Sequence, residues 1–147
     1  MTILFLILFA LIPTTQAGAA KSCLTYERNL ITLNGTIERK TLPGPPNYES
    51  VAKGDQPEVI WVLHLVKPIC VTATGDWEEE KNVVEVQLVF PESRQYGRYE
   101  SLVSQRVSVS GKLFHAHTGH HHTKVLLTVT GMRKRIRGRS PRISNAI

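Results

Sequence analysis

The stretch VVEVQLVFPESRQYGRYESLVSQRVSVSGKLFHA, residues 83–116, decides the predicted fold. Apolar residues alternate with polar ones over residues 83–90 and again over residues 106–116, which predicts two β-strands. Their core faces are predicted to carry Val84, Val86, Leu88 and Phe90, and Val107, Val109 and Leu113. Between the strands, residues 95–104 form the one plausible helix, and it is short.

Three further period-two segments flank this stretch, at residues 29–41, 58–66 and 123–130. Their predicted core faces carry Ile31, Leu33 and Ile37; Trp61, Leu63 and Leu65; and Val125, Leu127 and Val129. Five strands with a short helix between the third and the fourth predict an all-β fold, a small five-stranded OB-like barrel. Gly35 and Gly111 lie inside two of the strands, where strongly coiled strands need a bend. A β-sandwich is the alternative.

The basic excess of the chain is confined to its C-terminal end. The 147 residues carry 18 Lys and Arg against 12 Asp and Glu, and six of the basic residues follow Gly131. The 12 that remain balance the 12 acids, so we predict a neutral barrel domain over residues 20–131 and a flexible basic tail over residues 132–147. Because the excess lies in the tail, the net charge of +6 gives no information about the ligand of the barrel.

The N-terminal residues 1–19 have the layout of a secretory signal peptide. Residues 3–12 are ten consecutive apolar residues, too few for a membrane span of about 20, and Pro13 and several small residues follow. A buried N-terminal helix is the alternative. No later segment approaches the length of a membrane span. We therefore predict a secreted or periplasmic protein.

Export gives the two cysteines a structural role. Cys23 and Cys70 lie 47 positions apart and have no CxxC partner. An oxidising compartment favours joining them, and such a disulfide would stabilise the fold by about 4 kcal/mol through loop entropy. A catalytic thiolate is the alternative.

Five of the six histidines fall within FHAHTGHHHT, residues 114–123. Pairing Val109 with Val129 on antiparallel strands keeps both core faces inward. The same register places His117 opposite His121 and leaves a three-residue turn, 118–120. It predicts one shared face for His115, His117 and His121, with His122 pointing the other way and His120 at the tip.

Three imidazoles on one face could hold a divalent transition metal such as zinc. Neither a carboxylate nor a thiolate lies nearby in sequence, and no HExxH or Cys/His finger spacing exists. Two other interpretations therefore stay open: a hydrogen-bonded polar loop whose rings pack together, and direct contact of the histidines with a ligand without metal.

The loop GPPNYES, residues 44–50, is the second distinctive segment. In OB folds the loops that follow the first and the fourth strands flank the ligand face, so this loop and the histidine hairpin should be neighbours. Two prolines restrict the loop and would present Asn47, Tyr48 and Glu49 in a defined way. Glu49 is then the best candidate for a fourth metal ligand or a partner of a histidine. A rigid connector with Tyr48 packed on the barrel is the alternative.

GPPNYES, the segment 61–71 ending in PICV, and GKLFHAHTGHHHTKVLL together resemble a group of small secreted bacterial proteins classed as a domain of unknown function. The resemblance covers residues 23–130, and its most specific part is GxLFxAxTGHHHT. It implies a secreted bacterial domain with an OB-like fold and brings no established activity. The tail after Gly131 is atypical of that group.

These features favour an exported binding or accessory module that uses Asn47, Tyr48, Glu49 and the histidines at positions 115, 117, 120, 121 and 122, with an unknown ligand or a periplasmic protein as partner. The alternative is a histidine-ligated metal protein or a metal-dependent hydrolase with Glu49 as base. No GxSxG elbow or Gly-rich phosphate loop supports another enzyme class. Specific nucleic-acid binding is disfavoured because the expected solvent face, Val62, His64, Val66, Glu85 and Gln87, lacks aromatic and basic residues. The basic tail could contact anionic surfaces without specificity.

Overall fold

A computed structural model describes residues 22–136, so the predicted signal peptide lies outside the described residues. The strands are β1 (Leu24–Thr25), β2 (Ile31–Pro43), β3 (Pro57–Thr72), β4 (Glu80–Val89), β5 (Arg106–His115) and β6 (Val125–Lys134). One α-helix, α1 (Arg94–Tyr99), lies between β4 and β5, and 3-10 turns cover Val51–Lys53 and Glu100–Leu102. Within this part of the chain no helix is both long enough and apolar enough to span a membrane.

Five of the strands close into a barrel in the order β2–β3–β4–β6–β5, and β5 pairs back with β2. All of these pairs are antiparallel except β4 with β6. The short β1 adds to β3 in parallel. The predicted small all-β barrel is confirmed, together with its one short helix between the third and the fourth barrel strands.

The barrel interior is apolar and is closed by aromatic residues at both ends. At one end α1 places Tyr96 against Phe90, with ring centroids 4.5 Å apart, and against Trp61. Tyr26, which is 1% exposed, lies edge-on to Trp77 and to His115 at the other end. The buried interior contains most of the predicted core faces: Leu33, Ile37, Trp61, Leu63, Val86, Leu88, Phe90, Val107, Val109, Leu113, Val125, Leu127 and Val129.

One predicted core residue is misplaced. Val84 is 53% exposed, whereas Val83 packs against the core. The β3–β4 pairing shifts its register between His64 and Val71, and Asn82 adopts a positive φ of 53°. This irregularity changes the phase of the strand, so the alternation that places Val86 and Leu88 inside does not extend back to Val84.

Two strands extend further than their side-chain pattern predicts. β3 continues past Val66 to Thr72, and β6 continues past Thr130 to Lys134. Lys134 pairs with Val107, and the backbone N–H of Arg135 donates to the carbonyl oxygen of Arg106 at 2.8 Å. Backbone pairing does not require apolar side chains, so the first residues of the predicted tail, 132–134, belong to the barrel instead.

The predicted disulfide is confirmed. The sulfurs of Cys23 and Cys70 are bonded, and their Cα atoms lie 4.8 Å apart. Beside it, Leu24 pairs with Val71 in the β1–β3 ladder. The bridge therefore fastens the segment that carries Tyr26 to the barrel.

Candidate functional site

The histidine hairpin is longer than predicted. Leu113 pairs with Leu127 and His115 with Val125, two residues away from the predicted register. Ala116 and Lys124 still share a backbone hydrogen bond, and the loop lies between them. A shift of two residues leaves every core side chain facing inward, so the apolar pattern could not distinguish the two registers.

The pairing of β5 with β6 is also irregular further from the loop. The β5–β6 register slips between Ser110 and Gly111, so Val109 lies opposite Met132 instead of Val129. A Cβ on Gly111 would lie 2.2 Å from the carbonyl oxygen of Thr128, so only glycine allows this approach of the strands. The predicted regular pairing with a three-residue turn is therefore wrong.

The five hairpin histidines divide into three groups, and His115 is separate from His117 and His121, with which it was predicted to share a face. His115 lies among Tyr26 and Trp77, with its Nε2 atom 3.6 Å from Glu80 Oε1. His117 and His121 pack edge-on with centroids 4.6 Å apart, and both contact the ring of Phe114. His120 and His122 both reach Glu58.

The hydrogen bonds of His117 and His121 do not assemble the predicted metal site. No cluster of three His, Cys, Asp or Glu side chains within residues 22–136 could hold a metal ion. His121 Nδ1 accepts the backbone N–H of His117 at 3.0 Å, and His117 Nδ1 donates to the carbonyl oxygen of His115 at 3.0 Å. Burial lowers the pKa of His121, and charge on His117 lowers it further. The described residues therefore give no support to a zinc site at His115, His117 and His121, which stays a prediction from the sequence.

Glu58, at the start of β3, organises the two histidines of the third group. Its Oε1 lies 2.8 Å from His120 Nδ1 and its Oε2 lies 3.2 Å from His122 Nε2, while the side chain is only 24% exposed. Sequence analysis missed Glu58 because it belongs to no motif and lies 62 positions from His120. The only signal was an acidic residue directly after the turn-rich segment.

Tyr48 joins the two distinctive loops. Its hydroxyl lies 3.1 Å from His120 Nε2, and the two rings meet edge-on with centroids 5.4 Å apart. Because His120 Nδ1–H donates to Glu58, the neutral ring has its lone pair on Nε2, and Tyr48 O–H is the donor. The hydrogen bonds therefore run in one direction, from Tyr48 to His120 to Glu58. The predicted contact between the two loops is confirmed.

A buried carboxylate holds the loop that carries Tyr48. Asp55 is 4% exposed and accepts the backbone N–H groups of Asn47 at 2.9 Å and of Glu49 and Ser50 at 2.8 Å. These hydrogen bonds lower the pKa of Asp55 below its ordinary value. Glu49, predicted to approach the histidines, serves here through its backbone; within residues 22–136 its carboxylate makes no hydrogen bond to a histidine.

A buried amide holds the histidine hairpin on the outer face of the barrel. Gln87 is 5% exposed; its Nε2 donates to the carbonyl oxygen of His120 at 2.9 Å, and its Oε1 accepts the backbone N–H of His122 at 2.7 Å. Its own backbone N–H donates to Thr123 Oγ1 at 3.0 Å. Gln87 and its strand partner Val62 were predicted to face solvent, and both are buried.

The remaining outer face of β2, β3 and β4 carries a charged cluster. His64 Nε2 lies 2.5 Å from Glu38, its Nδ1 lies 3.2 Å from Glu85, and Lys40 Nζ lies 3.3 Å from Glu85. The hydrogen bond from His64 lowers the pKa of Glu38. Each ring nitrogen of His64 faces a different carboxylate, so His64 cannot bind one metal ion together with both Glu38 and Glu85.

Comparison with known proteins adds one finding. Residues 85–136 match the model of a family described as a domain of unknown function, DUF4431. The DUF4431 segment contains β5, β6, α1 and the complete histidine hairpin with its anchor Gln87. It begins after Tyr48 and Glu58, so it supplies only one of the two loops that meet at the site. No curated protein matches the chain.

Proposed function

We propose that this protein is an exported binding or accessory module whose ligand site lies where loop 44–50 meets hairpin 116–124. The observation that carries the proposal is the contact between Tyr48 and His120, because it joins two loops that are each fixed by a separate buried polar side chain. In OB-like barrels the corresponding pair of loops flanks the ligand face. The site residues that we assign are Asn47, Tyr48, Glu58, His120 and His122.

Rigid loops support a binding role. Asp55 and Gln87 fix the backbone on both sides of the junction. A loop that is already ordered loses less conformational entropy when a ligand binds, so its polar groups yield more net affinity.

The hydrogen-bond direction indicates the chemistry of the ligand. The Tyr48 proton is directed at His120, so the lone pairs of the phenol oxygen are free to accept. Glu58 contributes negative charge beneath the two histidines. We infer that the ligand, whether a small molecule or a periplasmic protein, presents N–H or O–H donors to this junction.

Export is part of the same proposal. It is supported by the apolar residues 3–12 followed by small residues and by the Cys23–Cys70 disulfide, which an oxidising compartment maintains. The domain would extend from about residue 20, after signal cleavage, through β6 to Lys134. The basic tail then starts later than its charge pattern predicts, and we propose non-specific contact with anionic surfaces as its role.

Nuclear magnetic resonance can test the location of the site. We would titrate the isotope-labelled, disulfide-bonded protein with a library of small amines, amides and alcohols. Shift changes should concentrate at residues 47–49 and 119–122, and Tyr48→Phe should remove them while Tyr99→Phe, in α1, leaves them unchanged. Shift changes confined to another surface would contradict the proposal. One such surface is the groove of about 330 Å³ lined by residues 32–34, 65–67, Ile69 and Arg135.

A further inference from the structure

Tyr48, His120 and Glu58 stand in the order of a nucleophile, a base and a group that orients the base. The phenol donates to His120 Nε2 at 3.1 Å, and His120 Nδ1 lies 2.8 Å from Glu58 Oε1. We propose that this relay makes Tyr48 an acyl-accepting nucleophile. The proposal uses the junction assigned above, although it does not require that the junction also binds a separate ligand.

The geometry meets the requirements of an activated nucleophile. A weak nucleophile needs a base within hydrogen-bond distance, and the base needs a third group that fixes its tautomer. Glu58 fixes His120 as the Nδ1–H tautomer, which leaves Nε2 ready to take the phenol proton. His122 holds the second oxygen of the same carboxylate at 3.2 Å, so Glu58 cannot swing away freely.

The backbone at Tyr48 is held in a conformation that bulky side chains rarely adopt. Tyr48 adopts a φ of 60°, in the left-handed region that aromatic residues rarely enter. Such conformations cluster at functional sites, where the surrounding structure enforces them. Here Asp55 enforces it through the N–H groups of Asn47 and Glu49, on both sides of Tyr48. His120 is 55% exposed, so a reagent can reach the relay.

Charge favours an acyl group over a phosphoryl group as the substrate. Phosphoryl transfer needs cations that neutralise the charge of the transferring group. Within residues 22–136 the ion pairs of His120 and His122 involve only Glu58, and none brings a lysine or an arginine to them. A neutral ester carbonyl tolerates this environment, whereas a dianionic phosphate would be repelled by Glu58.

The proposed step transfers an acyl group from an ester to Tyr48. The phenol oxygen attacks the carbonyl carbon while His120 Nε2 takes the phenol proton, and the resulting imidazolium is stabilised by Glu58. The bond between the carbonyl carbon and the alcohol oxygen then breaks. His120 returns the proton to the leaving alcohol oxygen, so the products are acyl-Tyr48 and a free alcohol, with no net change in charge.

The other tyrosines provide internal comparisons. Burial raises the pKa of Tyr26 to about 12, and it also raises the pKa of Tyr96, so both phenols resist ionisation. Tyr99 is partly exposed and stacks on Phe90, and no histidine contacts it among the residues described. Tyr99 therefore measures the reactivity of a partly exposed phenol without a relay.

The experiment uses p-nitrophenyl acetate on the full, disulfide-bonded protein, with peptide mapping of the acetylated tyrosines. We expect Tyr48 to be acetylated about 10²-fold faster than Tyr99, the contribution typical of a positioned base. Glu58→Gln and His120→Ala should remove that advantage, and His117→Ala, in the same hairpin but outside the relay, should retain it. Glu58→Gln preserves side-chain volume and so remains informative if His120→Ala alters the melting temperature.

Equal acetylation of Tyr48 and Tyr99, or an advantage of Tyr48 that survives in both relay variants, would overturn the proposal. Stable acetylation of His120 in place of Tyr48 would also overturn it. The proposed binding function is judged separately by the amine, amide and alcohol titration. If the titration succeeds and the acetylation fails, the junction binds ligands without a nucleophilic tyrosine.

Discussion

The ring of Tyr48 lies directly against Gly119, so closely that a Cβ atom at position 119 would be 2.7 Å from Tyr48 Cε2 and 2.8 Å from Cζ. Real Cβ atoms do not approach other carbons to this distance. Gly119 therefore provides the space in which the phenol reaches His120. The TGHHH sequence of the hairpin therefore has two structural roles. Gly119 allows the contact with Tyr48, and the same residues form a turn in which His121 N–H donates to the Thr118 carbonyl oxygen.

Gly119→Ala should displace Tyr48 from His120 while the barrel stays folded, because both residues lie on its outer surface. We expect loss of the nuclear Overhauser contacts between the two rings and little change in melting temperature. Gly97→Ala is the matched control, since a Cβ at position 97 meets nothing within 4 Å and alanine favours the helix. If the ring contacts survive in Gly119→Ala, the two loops can make room for the added methyl group while Tyr48 and His120 stay in contact.

Gln87→Ala should release the histidine hairpin from β4. The substitution leaves the carbonyl oxygen of His120 and the backbone N–H of His122 without their partner, and an unsatisfied buried group costs about 1–3 kcal/mol. We expect a lower unfolding free energy in urea and faster hydrogen exchange at the His122 amide. Val84→Ala, exposed on the same strand, should change stability by no more than about 0.5 kcal/mol. Unchanged exchange at His122 would mean that other contacts hold the hairpin.

The alternation of side chains was sufficient to predict the barrel, because alternate residues of a strand face the same side and one side of each strand is buried. Leu33, Val107 and Leu127 all point inward as predicted. A shift of two residues along a strand keeps the same side chains facing inward, and the predicted hairpin register is wrong by such a shift. The bulge at Gly111 depends on how closely β6 approaches, and that approach is not encoded within β5 alone.

The site was predicted only in part, for a related reason. Tyr48 and the histidines form conspicuous local motifs, whereas Glu58 and Gln87 are single residues whose importance arises from contacts across the fold. The extended face predicted for His115, His117 and His121 assumed that the strands continue straight to the turn. The loop folds back over β4 instead, because Gln87 and Thr123 supply hydrogen bonds there.

Tyr26→Phe should preserve or increase stability at neutral pH, because the Tyr26 hydroxyl is buried and makes no hydrogen bond within residues 22–136. The folded-state pKa of about 12 lies above the ordinary value of 10.0. The folded state therefore disfavours ionisation of this phenol, so the group leaves the unfolding free energy of the wild type unchanged below about pH 10 and lowers it as the pH rises towards 12. Denaturant unfolding of both proteins across this range should show a steeper loss for the wild type.

The comparison of these two proteins cancels the titration of the lysines, which both contain. Tyr99→Phe is the control, and it should retain the alkaline dependence of the wild type. The absorbance of tyrosinate, followed as the pH is raised, should show that Tyr26→Phe lacks one of the phenols that ionise only at high pH. If the two proteins lose stability in parallel above about pH 10, the Tyr26 phenol ionises in the folded state as readily as in the unfolded chain.

Loss of the Cys23–Cys70 bridge should destabilise the protein by about 4 kcal/mol, the loop-entropy contribution for a separation of 47 residues. The first change should be local. The bridge and the two-residue β1 hold the segment that carries Tyr26, so its release would open the end of the barrel where Tyr26 meets Trp77 and His115.

We would compare urea unfolding of the oxidised protein with that of the Cys23→Ala, Cys70→Ala double variant, and follow Trp77 fluorescence. Because the chain has two cysteines, a reductant should lower the unfolding free energy of the wild type and leave that of the variant unchanged. A shift below about 1 kcal/mol would show that the 22–30 segment is held mainly by packing of Tyr26.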